Sequence, residues 1–348
     1  IQKIIILLFL LISFKNYKIL MNKPKNTDLQ TAKRNKDDEF YTQLFTIEDE
    51  LRHYTKHFKN KVVLCNCDDP RVSNFFHFFS NKFEELGLKK LITTCYKNRE
   101  RDLFSQNKDE KAIYLEYNGD KNGNQVPDPE EIGIKEFKGD GDFRSDECIE
   151  LLKKADIVVT NPPFSLWVDY VKQLMDYKKK FLIIGNQNAI STKTIFPYFL
   201  QKKIWIGASI LSGDRRFGIP KDLETRSKTL KIDENGNKSI RVARVRWFTN
   251  LDFKQRHEDL ELYKKYNKKD YPKYDNFNAI HIEKTEEIPF NYKGMMGVPI
   301  SFVMKHNPAQ FEILGIDRYI KGNPYPGRRF TINGKEKYAR ILIKNKRL

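Results

Sequence analysis

The hydrophobic positions of the chain form short apolar runs that alternate with segments of helical spacing. The runs predict strands at residues 61–65, 91–96, 113–117, 156–160, 181–185 and 203–210. Phenylalanines within residues 75–83 recur at helical spacing before Gly87, which stands at a C-cap position, and Ser145 is placed to cap a helix that runs to Lys154. Strand–helix alternation of this kind predicts an α/β fold with a doubly wound, mostly parallel sheet.

The strand predicted at residues 156–160 ends abruptly in a loop of unusual composition, Asn161-Pro162-Pro163-Phe164. Its two prolines fix φ and remove two backbone donors, and Pro162 also biases Asn161 towards extended geometry. The sequence therefore predicts a stiff, acceptor-rich loop at the carboxyl end of a strand. In an open α/β sheet, that edge is where ligands bind.

This loop suits the chemistry of an exocyclic amino group on a nucleobase, which is a poor nucleophile because its lone pair is delocalised into the ring. The side-chain oxygen of Asn161 and the carbonyl of Pro162 can accept from the two N–H bonds and return electron density to nitrogen. Phe164 can stack on a base that has been flipped out of a duplex. The alternative is an ordinary strand–turn–helix in which Pro163 starts the helix and Phe164 packs in the core.

Composition narrows the class of partner. The 348 residues include 64 Lys and Arg but only 46 Asp and Glu, which gives a net charge of +18. A balance this positive favours nucleic acid as the partner, although a coding bias toward Lys, Asn and Ile would also raise the charge. No second Cys or His pair at zinc spacing accompanies the cysteines, so we expect reduced thiols and no metal. The cysteines are Cys65, Cys67, Cys95 and Cys148.

The amino-acid composition changes at two places along the chain. Residues 4–14 form an apolar run that is too short to span a bilayer and lacks a signal-peptide cleavage site. We therefore expect residues 1–20 to be a non-native or upstream extension, with a membrane anchor as the alternative. After about residue 250 helical periodicity fades, while Tyr, Lys, Asn and Pro become frequent. We predict a catalytic domain at 21–250 and a second, basic region at 251–348.

Six segments of the chain resemble, in the same order, those of the EcoRI-type family of adenine-specific DNA methyltransferases. They are residues 38–43, 66–70, 139–145, 161–164, 246–250 and 296–300. The resemblance implies a Rossmann-like methyltransferase sheet that binds S-adenosyl-L-methionine, followed by a C-terminal basic target-recognition region that reads base edges. It also implies methyl transfer to adenine N6 by base flipping, in a restriction–modification or mobile-element system.

The resemblance further implies a cytoplasmic monomer that acts on duplex DNA, without a membrane or an obligatory protein partner. Three alternatives stay open: an enzyme that methylates adenine in RNA, one that methylates a glutamine amide in protein, and a nucleic-acid-binding protein that has lost catalysis. The last is motivated by residues 66–70, where a glycine-rich cofactor loop is usual and glycine is absent.

The resemblance assigns the cofactor site and the catalytic loop residue by residue. The cofactor residues are Tyr41, Thr42, Asn66, Asp68, Asp69, Asp142 and Phe143, and the catalytic residues are Asn161, Pro162, Pro163 and Phe164. Tyr41 and Thr42 would fold over the methionine end of the cofactor. Asp142 would accept from its adenine amino group, and Phe143 would pack on the adenine face. We expect no general base, because polarisation and in-line placement carry the rate.

Substrate contacts are predicted in two basic segments. The residues concerned are Arg215, Arg216, Arg244, Arg246, Trp247 and Phe248. Residues 241–248 alternate as one strand, which would place Arg244, Arg246 and Phe248 on a single face. That face could meet phosphate while Phe248 forms a second wall of the flipped-base pocket. In the alternative, Phe248 is sheet core and the arginines are solvated.

Overall fold

The computed structural model describes residues 42–67, 73–96, 112–123, 127, 132–209, 215–219, 228–323 and 327–348. Its strands are β1 (Val62–Cys65), β2 (Lys90–Thr94), β3 (Ile113–Tyr117), β4 (Gly133–Glu136), β5 (Ile157–Thr160), β6 (Lys180–Asn186), β7 (Trp205–Ile206), β8 (Arg215–Ile219), β9 (Lys231–Ile232), β10 (Lys238–Val242), β11 (Val245–Thr249), β12 (Ile280–His281), β13 (Met296–Pro299), β14 (Phe311–Ile316), β15 (Thr331–Ile332), β16 (Lys335–Glu336) and β17 (Arg340–Asn345). Its α-helices are α1 (Leu44–Leu51), α2 (Asn74–Asn81), α3 (Phe83–Leu86), α4 (Asp146–Lys154), α5 (Trp167–Asp176) and α6 (Phe196–Leu200).

Eight strands form the main sheet in the order β4-β3-β2-β1-β5-β6-β11-β7. The four central strands, β2, β1, β5 and β6, are parallel, whereas β3, β4, β11 and β7 pair antiparallel with their neighbours. The predicted α/β class is confirmed, but the prediction of a mostly parallel sheet is wrong because the sheet is mixed. Antiparallel neighbours need no crossover helix, so strand–helix alternation does not indicate them.

Helices cover both faces of the main sheet. Trp247 and Phe248 are successive residues of β11 and therefore point to opposite faces. Phe75 of α2 packs edge-on against Trp247 with ring centroids 6.2 Å apart, and Trp167 of α5 packs against Phe248 at 4.6 Å. Since α2 and α5 lie on opposite faces, the sheet is doubly wound, as predicted.

The helices predicted from local signals are present with their caps. The phenylalanines of α2 and α3 are buried, Ser73 Oγ accepts from the backbone N–H of Phe76 at 3.3 Å, and Gly87 ends α3 with φ at 60°. Ser145 caps α4 in the same way, accepting from the backbone N–H of Cys148 at 3.3 Å. Each cap satisfies an N–H group that has no partner within its own helix.

The strand predicted at residues 203–210 is much shorter in the structure. Only Trp205–Ile206 pair with β11, as β7. Beyond them the backbone N–H groups of Ala208 and Ser209 donate to the carboxylate of Glu50, at 2.8 and 2.7 Å, instead of extending the ladder. Ile210 lies outside the described residues.

The strand predicted at residues 241–248 is two strands. Arg244, with φ at 61°, turns the chain between β10 and β11. β10 pairs with β8 and β9 in a separate three-stranded sheet, while β11 joins the main sheet. Arg244 therefore does not share a strand face with Arg246 and Phe248, and that prediction is wrong.

Beyond residue 250 the described residues form strands and short 3₁₀ segments. β12, β13, β17 and β14 make a four-stranded sheet in that order, and β15 pairs with β16. Phe40–Leu348 form one compact unit, and the division at residue 250 stays a prediction. Within the described ranges, no helix has the length and apolar character needed to cross a membrane.

Candidate active site

The strand order reverses between β1 and β5, which opens a crevice at their carboxyl ends. β2 lies on one side of β1, and β5 followed by β6 lies on the other. In doubly wound sheets, ligands bind at such a reversal. Asn66 directly follows β1 and Asn161 directly follows β5, so two of the predicted site residues lie at this edge.

Asn66 links the ends of the two strands. The hydroxyl of Thr160 donates to the carbonyl of Asn66, and the hydroxyl of Tyr170 donates to its side-chain oxygen. Asn66 is only 6% exposed. Because the side-chain oxygen is engaged by protein, the amide NH₂ is the group through which Asn66 could bind a ligand.

Tyr170 of α5 is a site residue that sequence reasoning missed. Its ring packs edge-on against Phe143 with centroids 5.0 Å apart, while its hydroxyl reaches Asn66. Burial raises the pKa of Tyr170, so the hydroxyl keeps its proton and remains a donor. Its sequence signal is a place beside Trp167 and Val171 on the buried face of α5, which indicates core and not a site.

The segment at residues 139–145 lies against the end of β2. Gly141 has φ at 75°, and a Cβ there would stand 2.6 Å from the carbonyl oxygen of Cys95. Only glycine therefore lets the loop approach β2 this closely. The approach brings Asp142 and Phe143 to the same edge of the sheet as the ends of β1 and β5.

Arg144 fixes the carboxylate of Asp142. Its Nε donates to Oδ1 at 2.9 Å, its Nη2 donates to Oδ2 at 2.6 Å, and its backbone N–H donates to Oδ1 at 2.8 Å. The Arg144 guanidinium holds the pKa of Asp142 below its usual range. It also lies over the ring of Phe143, 5.2 Å from the centroid. Oδ2, with a single bond from Arg144, keeps a lone pair for a further donor.

The Asn-Pro-Pro-Phe loop connects β5 to α5. The helix begins at Trp167, so the alternative in which Pro163 starts it is wrong. Pro162 is buried, and Phe164, at 9% exposed, packs in the core, so this part of the alternative is confirmed. The side-chain oxygen of Asn161 is also shielded from solvent. The loop is therefore held rigidly at the crevice.

Thr42 lies beside the start of α2. Its carbonyl accepts from Nδ2 of Asn74 at 2.7 Å, and its buried hydroxyl has no hydrogen-bond partner among the described residues. An unsatisfied buried hydroxyl fits a ligand contact. The predicted site groups that lie outside the described residues are Tyr41, Asp68, Asp69 and the side chain of Arg215.

Three of the predicted substrate-binding residues are buried. Trp247 and Phe248 are 0% exposed, so Phe248 is sheet core and the prediction that it walls a base pocket is wrong. Arg246 is 6% exposed and donates to the carbonyl of Val245 at 2.6 Å and to the sulfur of Met304 at 2.9 Å. The alternative with solvated arginines is wrong for Arg246 as well.

Arg216 and Arg244 have different surroundings. Arg216 is half-buried, and its Nη2 donates to the carbonyls of Thr229 and Ser239, each at 2.8 Å. Arg244 is exposed, and its carbonyl accepts from the backbone N–H of Gln187 at 2.8 Å. Since Gln187 follows β6, Arg244 lies at the same edge of the main sheet as the crevice.

A doubly wound sheet with an Asn-Pro-Pro-Phe loop at its point of strand reversal provides a ligand crevice with hydrogen-bond acceptors at its edge, which suits an enzyme that methylates an amino group. A family model described as adenine-specific methyltransferase EcoRI matches residues 28–346. The chain therefore belongs to the EcoRI family of adenine-specific methyltransferases, as its six segments predict. No solved structure matches the chain.

Curated relatives match nearly the whole chain. It is 49% identical to the Type II methyltransferase M.EcoRI of Escherichia coli, over 93% of this chain and 98% of that protein. It is 36% identical to M.MgeORF184P of Mycoplasma genitalium, over 91% and 98% of the two chains. It is 35% identical to M.MpnI of Mycoplasma pneumoniae, over 90% and 97%. Both mycoplasma proteins are also named Type II methyltransferases.

Proposed function

We propose that this chain transfers a methyl group from S-adenosyl-L-methionine to N6 of adenine in duplex DNA, within a restriction–modification system. The observation that carries the proposal is the Asn-Pro-Pro-Phe loop at the strand reversal of the main sheet, in a chain of this family. The net charge of +18 supports a polyanionic substrate.

The crevice offers groups that suit the cofactor. Asp142 is ionised and oriented, and its Oδ2 can accept from an adenine amino group while Phe143 packs on the adenine face. The buried hydroxyl of Thr42 and the amide NH₂ of Asn66 supply further polar contacts. Tyr41, Asp68 and Asp69 complete the proposed set. When bound, S-adenosyl-L-methionine supplies an electrophilic methyl group.

The catalytic loop acts by polarising the target amino group. The side-chain oxygen of Asn161 and the carbonyl of Pro162 accept from its N–H bonds, which raises the electron density on nitrogen. Pro163 keeps the loop stiff, and Phe164 provides an apolar wall for the flipped base. No side chain need remove the proton before attack, because the nitrogen becomes acidic once it carries the new methyl group.

Methyl transfer to unmethylated duplex DNA tests the proposal, with labelled S-adenosyl-L-methionine and single-molecule detection of modified positions. We expect label at adenine N6 within one short sequence. Asn161→Ala should lower the rate by about 10²- to 10³-fold, because acceptors that meet charge developing in a transition state contribute on that order. Its affinity for the cofactor should stay near that of the wild type.

Asn118→Ala is the matched control, since this exposed amide follows β3 at the opposite edge of the main sheet. It should methylate DNA at the wild-type rate. Near-normal turnover by Asn161→Ala would remove the role assigned to the loop. Transfer to RNA in place of duplex DNA, or no affinity for the cofactor, would contradict the function itself.

A further inference from the structure

The segment at residues 296–300 has no part in the proposed active site, yet it shapes a polar cluster in the C-terminal sheet. The hydroxyl end of Tyr274 lies against Gly297 of β13, where a Cβ would clash with it. The Tyr274 hydroxyl is 2.9 Å from Nδ1 of His281, and Nε2 of His281 is 2.6 Å from Oε2 of Glu283. We call this series of hydrogen bonds the Tyr–His–Glu chain.

The proton positions along the Tyr–His–Glu chain follow from burial. His281 is 6% exposed, and burial lowers the pKa of its ring, so the ring is neutral. A neutral ring that donates from Nε2 to the carboxylate accepts at Nδ1, so the Tyr274 hydroxyl donates there at 2.9 Å, with the carbonyl of Gly297 as a second, longer acceptor at 3.2 Å. The bond from His281 holds the pKa of Glu283 below its usual range. The Tyr–His–Glu chain thus ends in the ionised, oriented carboxylate of Glu283.

Arg340 supports the same carboxylate. Its side chain is 5% exposed, and Nη2 lies 3.6 Å from Oε2 of Glu283. Its Nε has no hydrogen-bond partner within the part of the chain that the structure describes. The Glu283 side chain is 60% exposed, and its contacts with His281 and Arg340 both use Oε2. Oε1 remains available as an acceptor.

Stability alone does not require this arrangement. An exposed ion pair stabilises a folded protein very little, whereas burying polar groups such as His281, Tyr274 and Arg340 carries a desolvation cost. What the buried side chains achieve together is a carboxylate that is fixed in place at the surface. Acceptors held by a supporting layer of side chains are characteristic of recognition sites.

The surroundings indicate what the carboxylate recognises. Residues 251–348 contain 20 Lys and Arg but 12 Asp and Glu. Lys337 also lowers the pKa of Glu283, and Tyr338, the next residue, is 76% exposed. The backbone of the proposed duplex substrate carries phosphates that repel a carboxylate, so a carboxylate held at a protein–DNA interface pairs with a donor on a base edge. In the major groove, Glu and Asp pair with the N4 amino group of cytosine.

We propose that Glu283 is a specificity-determining residue that accepts a hydrogen bond from N4 of a cytosine in the recognition sequence. His281, Tyr274 and Arg340 are positioning residues that act through it. The inference rests on the proposed methylation of duplex DNA, and it deepens that function by assigning one base contact to one side chain.

The test compares full-length wild type and Glu283→Gln on duplexes randomised around the methylated adenine, with single-molecule sequencing of the modified molecules. We expect the wild type to require a C·G pair at one position. Glu283→Gln should lose about 10- to 100-fold discrimination at that pair and keep its discrimination elsewhere. Tyr274→Phe, which removes the hydroxyl behind His281, should produce a smaller loss at the same pair.

Glu286→Gln is the matched control, because Glu286 is a 51% exposed carboxylate of the same region that pairs with Lys305 at 2.9 Å. It should keep the wild-type sequence preference. Unchanged discrimination in an active Glu283→Gln enzyme would overturn the inference while leaving the proposed function intact. Absence of DNA methylation by the wild type would overturn the proposed function, and the inference with it.

Discussion

Single buried polar side chains tie together elements that are distant in sequence. The carboxylate of Glu50 in α1 accepts from the backbone N–H groups of Ala208 and Ser209, at 2.8 and 2.7 Å, and from the hydroxyl of Tyr54 at 2.7 Å. Glu50 is 0% exposed. One side chain therefore fixes the segment after β7 onto α1, and removing it leaves the buried hydroxyl of Tyr54 and two half-buried backbone N–H groups without an acceptor.

We predict that Glu50→Ala lowers the free energy of unfolding by about 2 kcal/mol or more, because a buried unsatisfied donor such as the Tyr54 hydroxyl costs about 1–3 kcal/mol and two half-buried N–H groups also lose their acceptor. Urea-induced unfolding measures the change. Glu48→Ala, at an exposed position of the same helix, should shift the free energy of unfolding by less than about 0.5 kcal/mol. Equal effects of the two substitutions would contradict the role of Glu50.

The candidate site could be predicted from the sequence only where consecutive residues mark it. The Asn-Pro-Pro-Phe loop is marked by a strand and two prolines, and both are readable from consecutive residues. Tyr170 has no such signal, since its partner Asn66 lies 104 residues away. Burial of Phe248 is equally nonlocal, because the rings of Trp167 and Phe199 that cover it come from other elements.

At the scale of helices and strands, apolar runs in the sequence predict the central strands of the main sheet well and its edge strands poorly. β1, β2, β3, β5 and β6 lie where the runs predict them, because each is rich in β-branched or aromatic residues, and all but the half-buried β3 are buried. The prediction of one strand at residues 241–248 is wrong because Arg244 adopts a left-handed conformation that is uncommon for arginine. The alternation continues through the turn, although the two halves pair with different sheets.

The 3₁₀ segment Ile300–Lys305 is joined to β14 through the half-buried His306. Nε2 of His306 lies 3.0 Å from the carbonyl oxygen of Phe311, and burial lowers the pKa of His306 to about 4. An unfolded histidine titrates near pH 6.5. The unfolded chain therefore binds a proton that the folded chain does not, and the contribution of His306 to stability falls as pH drops from about 6.5 towards 4.

We predict that wild type loses about 2 kcal/mol of stability relative to His306→Gln between pH 7 and pH 4.5, because glutamine keeps a donor but does not titrate. Urea unfolding at both pH values gives the difference. Asp317, whose pKa is raised by burial to about 6, titrates in the opposite sense but is present in both proteins, so its contribution cancels. A difference in stability that does not change with pH would contradict the lowered pKa of His306.

At the scale of the whole molecule, the fold and the net charge contribute separately to the proposed function. The doubly wound core positions the reacting groups, while the excess of 64 basic over 46 acidic side chains is spread along the entire chain. Phe40–Leu348 form one compact unit, so the charges they carry act as a common field around it. Such a field attracts any polyanion, and selectivity must come from fixed contacts such as the one assigned to Glu283.

Because the net charge acts on DNA and the crevice acts on the cofactor, we predict that the affinities for the two substrates depend differently on salt concentration. Binding that neutralises 6–10 phosphates releases condensed counterions, so affinity for duplex DNA should fall by about 10³- to 10⁵-fold between 50 and 200 mM salt. S-Adenosyl-L-methionine releases no counterion layer, and its affinity should change by less than about threefold, because its contacts lie in a partly buried crevice where screening is weak. Fluorescence anisotropy of labelled duplex and calorimetry of the cofactor provide the two measurements. A DNA affinity that is insensitive to salt would mean that the basic side chains do not contact the phosphate backbone.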